Sequence, residues 1–214
     1  MSDAASQPAE PDTGPRPEGA VALAEALGGR LGILESSLPA GAFAIAYAIS
    51  GSDLELSALI AVAVGACLTI ARLLRRETLQ FALAGVVGVA IAAFIANKTG
   101  RAEDFYLPGL FINLAYAAAY AISILVGYPL LGVLVGAVTG EGMAWREDPV
   151  KVRAYSRASW IWVGLFLARI AVQAPLYLAG AVVVLGAARV AMGLPLFAVG
   201  IWLSYLVLRK ARVL

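Results

Sequence analysis

Residues 158–188 form a run of thirty-one with a single formal charge, Arg169. An apolar stretch of eighteen or more residues reads as a membrane span. A cation at mid-depth in such a span costs roughly 2.5–3.5 kcal/mol unless it faces protein or a wet cavity. Gln173 follows four residues after Arg169, and Tyr177 four after that. Steps of four keep all three on one helix face. The rest of the chain must give that polar stripe something to face.

Composition supports a bundle rather than one anchor. Sixty-one per cent of residues are apolar and only 14 % charged, well outside the soluble range, and the apolar residues fall in several separate runs. The expected fold is all-α, a polytopic membrane helix bundle. The single cysteine, Cys67, permits no intrachain disulfide and no structural zinc site. Histidine is absent, which removes the commonest general base, metal ligand and pH switch. The net charge of +2 is small, and the basic residues sit between the spans, so nothing supports a nucleic-acid partner. No phosphate loop, nucleophile triad or paired catalytic carboxylates appear, and we expect no enzyme, no cofactor and no metal.

Residues 1–19 hold Pro11, Pro15 and Pro17 among acidic side chains and have no apolar face. A disordered tail is expected, without the basic start and apolar core of a signal peptide. Residues 20–34 carry Val21, Leu23, Leu27, Leu31 and Leu34 at mostly helical spacing, which predicts an amphipathic interfacial helix broken near Gly28-Gly29. Residues 35–208 then supply six transmembrane helices, at about 36–50, 56–73, 78–97, 105–126, 158–181 and 190–208, before a basic tail at 209–214. The fifth is expected to kink at Pro175. Residues 105–140 are uncharged and would extend about 54 Å as one helix, too long for one upright span and short for two. Gly127-Tyr128-Pro129 is the natural break, and 130–138 becomes a short amphipathic helix, re-entrant or lying on the surface.

Charge decides between six spans and seven. With six, and both ends cytoplasmic, the inner side receives Arg16, Arg30, Arg72, Arg75, Arg76, Arg146, Lys151, Arg153, Arg157, Arg209, Lys210 and Arg212; the outer side receives Lys98, Arg101 and Arg189. Twelve against three obeys the positive-inside rule. Making 130–140 a full span reverses the later loops and destroys the bias.

A weak internal symmetry accompanies this layout. Glu35-x-x-Leu38-Pro39 leads to Ala46-Tyr47, and Asp104-x-x-Leu107-Pro108 leads to Ala115-Tyr116; the following spans carry Ala71-Arg72 and Ala168-Arg169. Opposite orientations of the two copies match a 3+3 inverted repeat of the kind found in secondary transporters. Chance recurrence in an alanine-rich chain gives the same pattern, and the third and sixth spans show no match.

The span at 105–126 carries Asn113, Tyr116 and Tyr120 at steps of three and four, a second polar face. We expect the two faces to meet, with Asp104 or Glu103 as counter-charge near the outer mouth and Glu35 as a second candidate partner. Arg169 then either anchors an anionic or polar solute at the midplane or locks helices together by hydrogen bonds to backbone carbonyls and tyrosines. Glu35 more simply meets the unpaired N–H groups of its own helix start. Trp160 and Trp162 read as interfacial anchors and Gly85-x-x-Gly88 as a packing surface. Arg146, Lys151, Arg153 and Arg157 fit either anionic lipid headgroups or an ordinary topology signal.

Several short patterns together resemble a known family: Gly28-Gly29 with Glu35-x-x-Leu38-Pro39, Thr99-Gly100-Arg101-Ala102-Glu103-Asp104 with Pro108-Gly109, Gly127-x-Pro129, Trp145-Arg146, and Arg169 with Gln173-x-Pro175-Leu176-Tyr177. Over residues 28–206 the chain is similar to an actinobacterial integral-membrane family of unknown function. By span layout and the Gly-x-Pro break it distantly resembles the intracellular septation protein A type. The resemblance implies a membrane location and a span count, and no activity. Two functions follow as expectations. One is a small transporter-like protein of the bacterial plasma membrane with a site around Arg169; the other is a non-transporting scaffold of envelope or septation machinery. Either is compatible with a homo-oligomer.

Overall fold

Prolines and short acidic caps decide where the helices start. The computed structural model describes residues 29–75 and 79–213, with the side chains of 29–36, 79–82 and 84 outside the description. The described residues form eight α-helices: α1 Gly29–Ile49, α2 Leu54–Leu74, α3 Leu79–Thr99, α4 Leu107–Leu125, α5 Leu130–Thr139, α6 Pro149–Leu178, α7 Val182–Ala191 and α8 Leu194–Lys210. Short 3-10 turns stand at Ala102–Tyr106 and Ala144–Glu147. The Asp53 carboxylate accepts from the Leu56 N–H at 3.0 Å and caps α2. Asp148 accepts from the Val150 N–H at 2.7 Å, and Pro149 follows it in the first turn, where a missing N–H costs nothing. Pro108 and Pro195 open α4 and α8 likewise.

Four stretches are long and apolar enough to cross a bilayer: Leu54–Leu74, Ala102–Leu125, Pro149–Leu178 and Val182–Lys210. Helices α1 and α3 are 21 residues each, but their described apolar portions, Ser37–Ile49 and Gly85–Thr99, are shorter. Helix α5 has 10 residues, about 15 Å, half of a hydrocarbon core of about 30 Å. It is a short helix and not a span, as expected. Leu59, Phe94, Phe111 and Trp202 face outward, an arrangement that suits hydrocarbon rather than water.

Five expectations need correction. The charged segment before residue 158 is not all loop, because the Asp148-Pro149 cap starts α6 nine residues earlier. The last apolar stretch is two helices in series: α7 ends at Ala191 and α8 begins at Leu194. Arg189 therefore lies within α7 and turns into the bundle, not into an outer loop. Residues 29–36 belong to the same helix as the first apolar run, so no break separates them; residues 1–28 lie outside the described residues. Trp162 is buried and donates its indole N–H to Ser204 Oγ at 3.1 Å, whereas Trp160 is half exposed, as an anchor would be. Gly85 and Gly88 form no packing surface among the described residues, where a Cβ at either would meet no atom within 4 Å.

Two cores hold the bundle. One gathers Phe43, Phe105, Tyr106, Leu185 and alanines of α1 to α3, with Phe43 stacked on Phe105 at 4.0 Å between centroids. The other gathers Tyr120, Trp145, Tyr155 and Trp162 from α4, α6 and the turn before α6. The polar residues of α4, α6 and α7 lie between them.

Candidate functional site

Helices α4 and α6 run antiparallel in one register. Tyr116 stacks on Phe166 with ring centroids 5.3 Å apart, and Tyr120 on Trp162 at 6.2 Å. Continuing that register by one turn sets Asn113 opposite Arg169. Asn113 Nδ2 donates to the Gly109 carbonyl at 2.7 Å, which fixes its amide against its own helix. A cavity of about 210 Å³ opens at this level, lined by Asn113, Arg169 and Gln173. Ser37 of α1, Arg189 of α7, Gly193 and Phe197 complete its wall.

The break between α7 and α8 explains where Arg169 points. Pro195 has no N–H for the carbonyl four residues back, so the helical ladder cannot run through. Arg169 Nη2 donates to the Met192 carbonyl and, at 2.9 Å, to that of Gly193. Its guanidinium thus stands at the C-terminal end of α7, where carbonyls carry the negative end of the helix dipole. Gly193 is required by close approach: a Cβ there would lie 2.8 Å from Ser37 Oγ.

Arg189 enters from the other side. Its guanidinium carbon sits 5.9 Å from the Tyr106 ring centroid, and Tyr106 donates its hydroxyl to the Ala40 carbonyl at 3.0 Å. The same guanidinium lies across the backbone of Gly109, where a Cβ would fall 2.6 Å from Cζ. Both arginines line the same cavity. No described residue lining it is a carboxylate. Arg169 Nε, Arg189 Nη1 and Gln173 Oε1 are buried without a hydrogen-bond partner among the described residues. A buried unpaired polar atom costs roughly 1–3 kcal/mol, more when charged.

The other expected site residues fall elsewhere. The Asp104 carboxylate accepts from the Tyr177 hydroxyl at 2.5 Å, and Glu103 pairs with Arg101 at 2.9 Å. Neither is the counter-charge of Arg169, because the turn Ala102–Tyr106 holds both acids at the far end of α6, two helical turns away. Arg101 lies outside the spans, and its pKa is pushed above the ordinary value, first by the bond to Glu103 and then by the charge of Asp104. Tyr116 and Tyr120 serve as stacking partners and do not line the cavity. Glu35 lies in α1, but its side chain is outside the described residues. Among the basic residues before and within α6, Lys151 pairs with Glu141 and Arg146 stands 3.7 Å above the Tyr128 ring. Arg153 and Arg157 are exposed one turn apart. No group of three His, Cys, Asp or Glu side chains able to hold a metal occurs among the described residues.

Sequence reasoning missed Arg189 and Ser37. The readable signal for Arg189 was Gly193-Leu194-Pro195, a second Gly-x-Pro break like the one at Gly127. It moves the turn from Arg189, where the sequence reading put it, to residues 192–193, and leaves the arginine inside α7.

A family model described as "Protein of unknown function (DUF3159)" matches residues 27–213, a range that holds every described helix. The chain belongs to the DUF3159 family. The match covers every residue lining the cavity, so the arginine pair lies inside the DUF3159 domain. No curated protein and no solved structure matches this DUF3159 chain.

Proposed function

We infer that this DUF3159 protein holds a small anion within the membrane, as a transporter does. One observation carries the reading: Arg169 and Arg189, from different helices, meet at a polar cavity that no described carboxylate lines. A cation turned inward in a membrane bundle marks a solute or ion pathway more often than chance placement would. A broken helix with its backbone ends at the cavity is the form that solute sites take in many transporters.

The reading includes a bacterial plasma-membrane location, six spans counting α1 and α3, and both termini in the cytoplasm. Moving Arg189 into the bundle leaves a bias of twelve basic residues against two, still in favour of that orientation. The 3+3 repeat remains part of it: α1 packs on α2 and α2 on α3, as α4 packs on α6 and α6 on α8.

A second reading has its own support. The bonds from Arg169 to the Met192 and Gly193 carbonyls are those of a structural lock, as a non-transporting envelope or septation scaffold would use. Exposed Arg153 and Arg157 would then meet anionic headgroups, and the unpacked Gly85 and Gly88 a second copy.

Reconstitution separates the two. The full chain in liposomes is tested for exchange of labelled phosphate, sulfate, acetate and chloride. We expect exchange of at least one, abolished in Arg189→Ala. Folded protein that exchanges none of the four moves the reading to the scaffold.

A further inference from the structure

The cavity's size, wall and charge narrow the ligand. We propose that it takes a small oxyanion, a phosphate-, sulfate- or short carboxylate-type group without a hydrocarbon tail; this rests on the anion reading above. Its volume of about 210 Å³ falls below the roughly 300–1,000 Å³ of pockets that hold drug-sized molecules. Among the described residues Phe197 is the single large apolar side chain in its wall, against Ser37, Asn113, Gln173 and the two arginines. An acyl chain would have no surface to lie on.

The choice of arginine points the same way. A guanidinium is a planar fork whose paired N–H groups match two oxygens of one anion, whereas an ammonium acts as a point charge. A halide needs charge alone. Here the charge is built from two forks on helices α6 and α7, and each fork is shaped by its surroundings. Arg169 is oriented by the Met192 and Gly193 carbonyls. Arg189 lies against Gly109, in space that a Cβ there would occupy. Neutral side chains that can donate or accept, Asn113, Gln173 and Ser37, surround the forks. They suit an anion that makes several directed hydrogen bonds.

The test is thermal stabilisation of the purified full-length protein in a non-ionic detergent. Sodium phosphate, sulfate, acetate, chloride and octanoate are titrated at matched ionic strength. A ligand bound only by the folded state raises the melting temperature in proportion to its occupancy. We expect saturable stabilisation by at least one of phosphate, sulfate and acetate, and none by chloride or octanoate. Arg189→Lys, which keeps the charge and loses the fork, should weaken the oxyanion response at least ten-fold. Gly109→Ala, which displaces the guanidinium without changing any charge, should do the same if the lysine variant melts before titration.

Chloride acting as well as the oxyanions, with Arg189→Lys unaffected, would overturn the oxyanion assignment and leave an anion site selective by charge only. Octanoate acting best would replace the small oxyanion by an amphiphile. If none of the five anions shifts the wild-type protein, the anion reading itself fails.

Discussion

Arg189 rests its guanidinium on Gly109, so that one helix's missing side chain is another helix's seat for a charge. The contact joins α7 to α4 beside the cavity, and Asn113 closes the same turn by donating to the Gly109 carbonyl.

Gly109→Ala should therefore destabilise the protein although alanine is the better helix former. Overpacking of this kind costs about 1–3 kcal/mol. In an Arg189→Ala background the same change should cost much less, since the three atoms nearest the new methyl group all belong to Arg189. A double-mutant cycle read by denaturant titration checks this; equal costs in both backgrounds would separate Gly109 from Arg189.

Arg169→Lys should cost about 1.5–3 kcal/mol, the worth of hydrogen bonds from a charged donor, because an ammonium on a different stem does not reproduce the bond pair to Met192 and Gly193. Arg169→Ala should cost at least as much. If both variants keep wild-type stability and wild-type behaviour in the native host, Arg169 is neither lock nor ligand.

Tyr177→Phe removes the partner of a buried carboxylate, Asp104. The expected loss is about 1–3 kcal/mol. The change should leave the anion titration intact, because neither residue lines the cavity. A large change in anion affinity would tie the outer turn to the site.

Orientation is open to cysteine labelling. With Cys67 replaced by alanine, a cysteine at Ser52 should react with an impermeant reagent from outside, and one at exposed Arg153 from the cytoplasm. Reaction of position 52 from the cytoplasmic side reverses the orientation.

Much of this arrangement is written in local spacing. The steps of four through Arg169 and Gln173, and the placement of Asn113 on the facing span, bring three cavity residues together by helix periodicity alone. The short α5 is legible in its Gly-x-Pro break and its length. Periodicity cannot report which carbonyls a distant arginine meets, so the bonds from Arg169 to Met192 and Gly193 were beyond it. The pairing of Asp104 with Tyr177 depends on how a five-residue turn folds against the end of α6, and charge alone suggested the wrong partner. Trp162 was misread because a tryptophan near a span's end is an anchor only when its face is exposed. Here Ser204 and Phe197 enclose it.

Helix α6 has 30 residues and extends about 45 Å, some fifteen more than the roughly 30 Å of a hydrocarbon core. Its first turns, with Trp145 packed edge-on against their Tyr155 and Ser159 accepting from the Leu131 N–H at the start of α5, make a stem braced by its own packing. Those turns carry Lys151, Arg153 and Arg157, so the surplus length is charged and suits a headgroup layer rather than hydrocarbon.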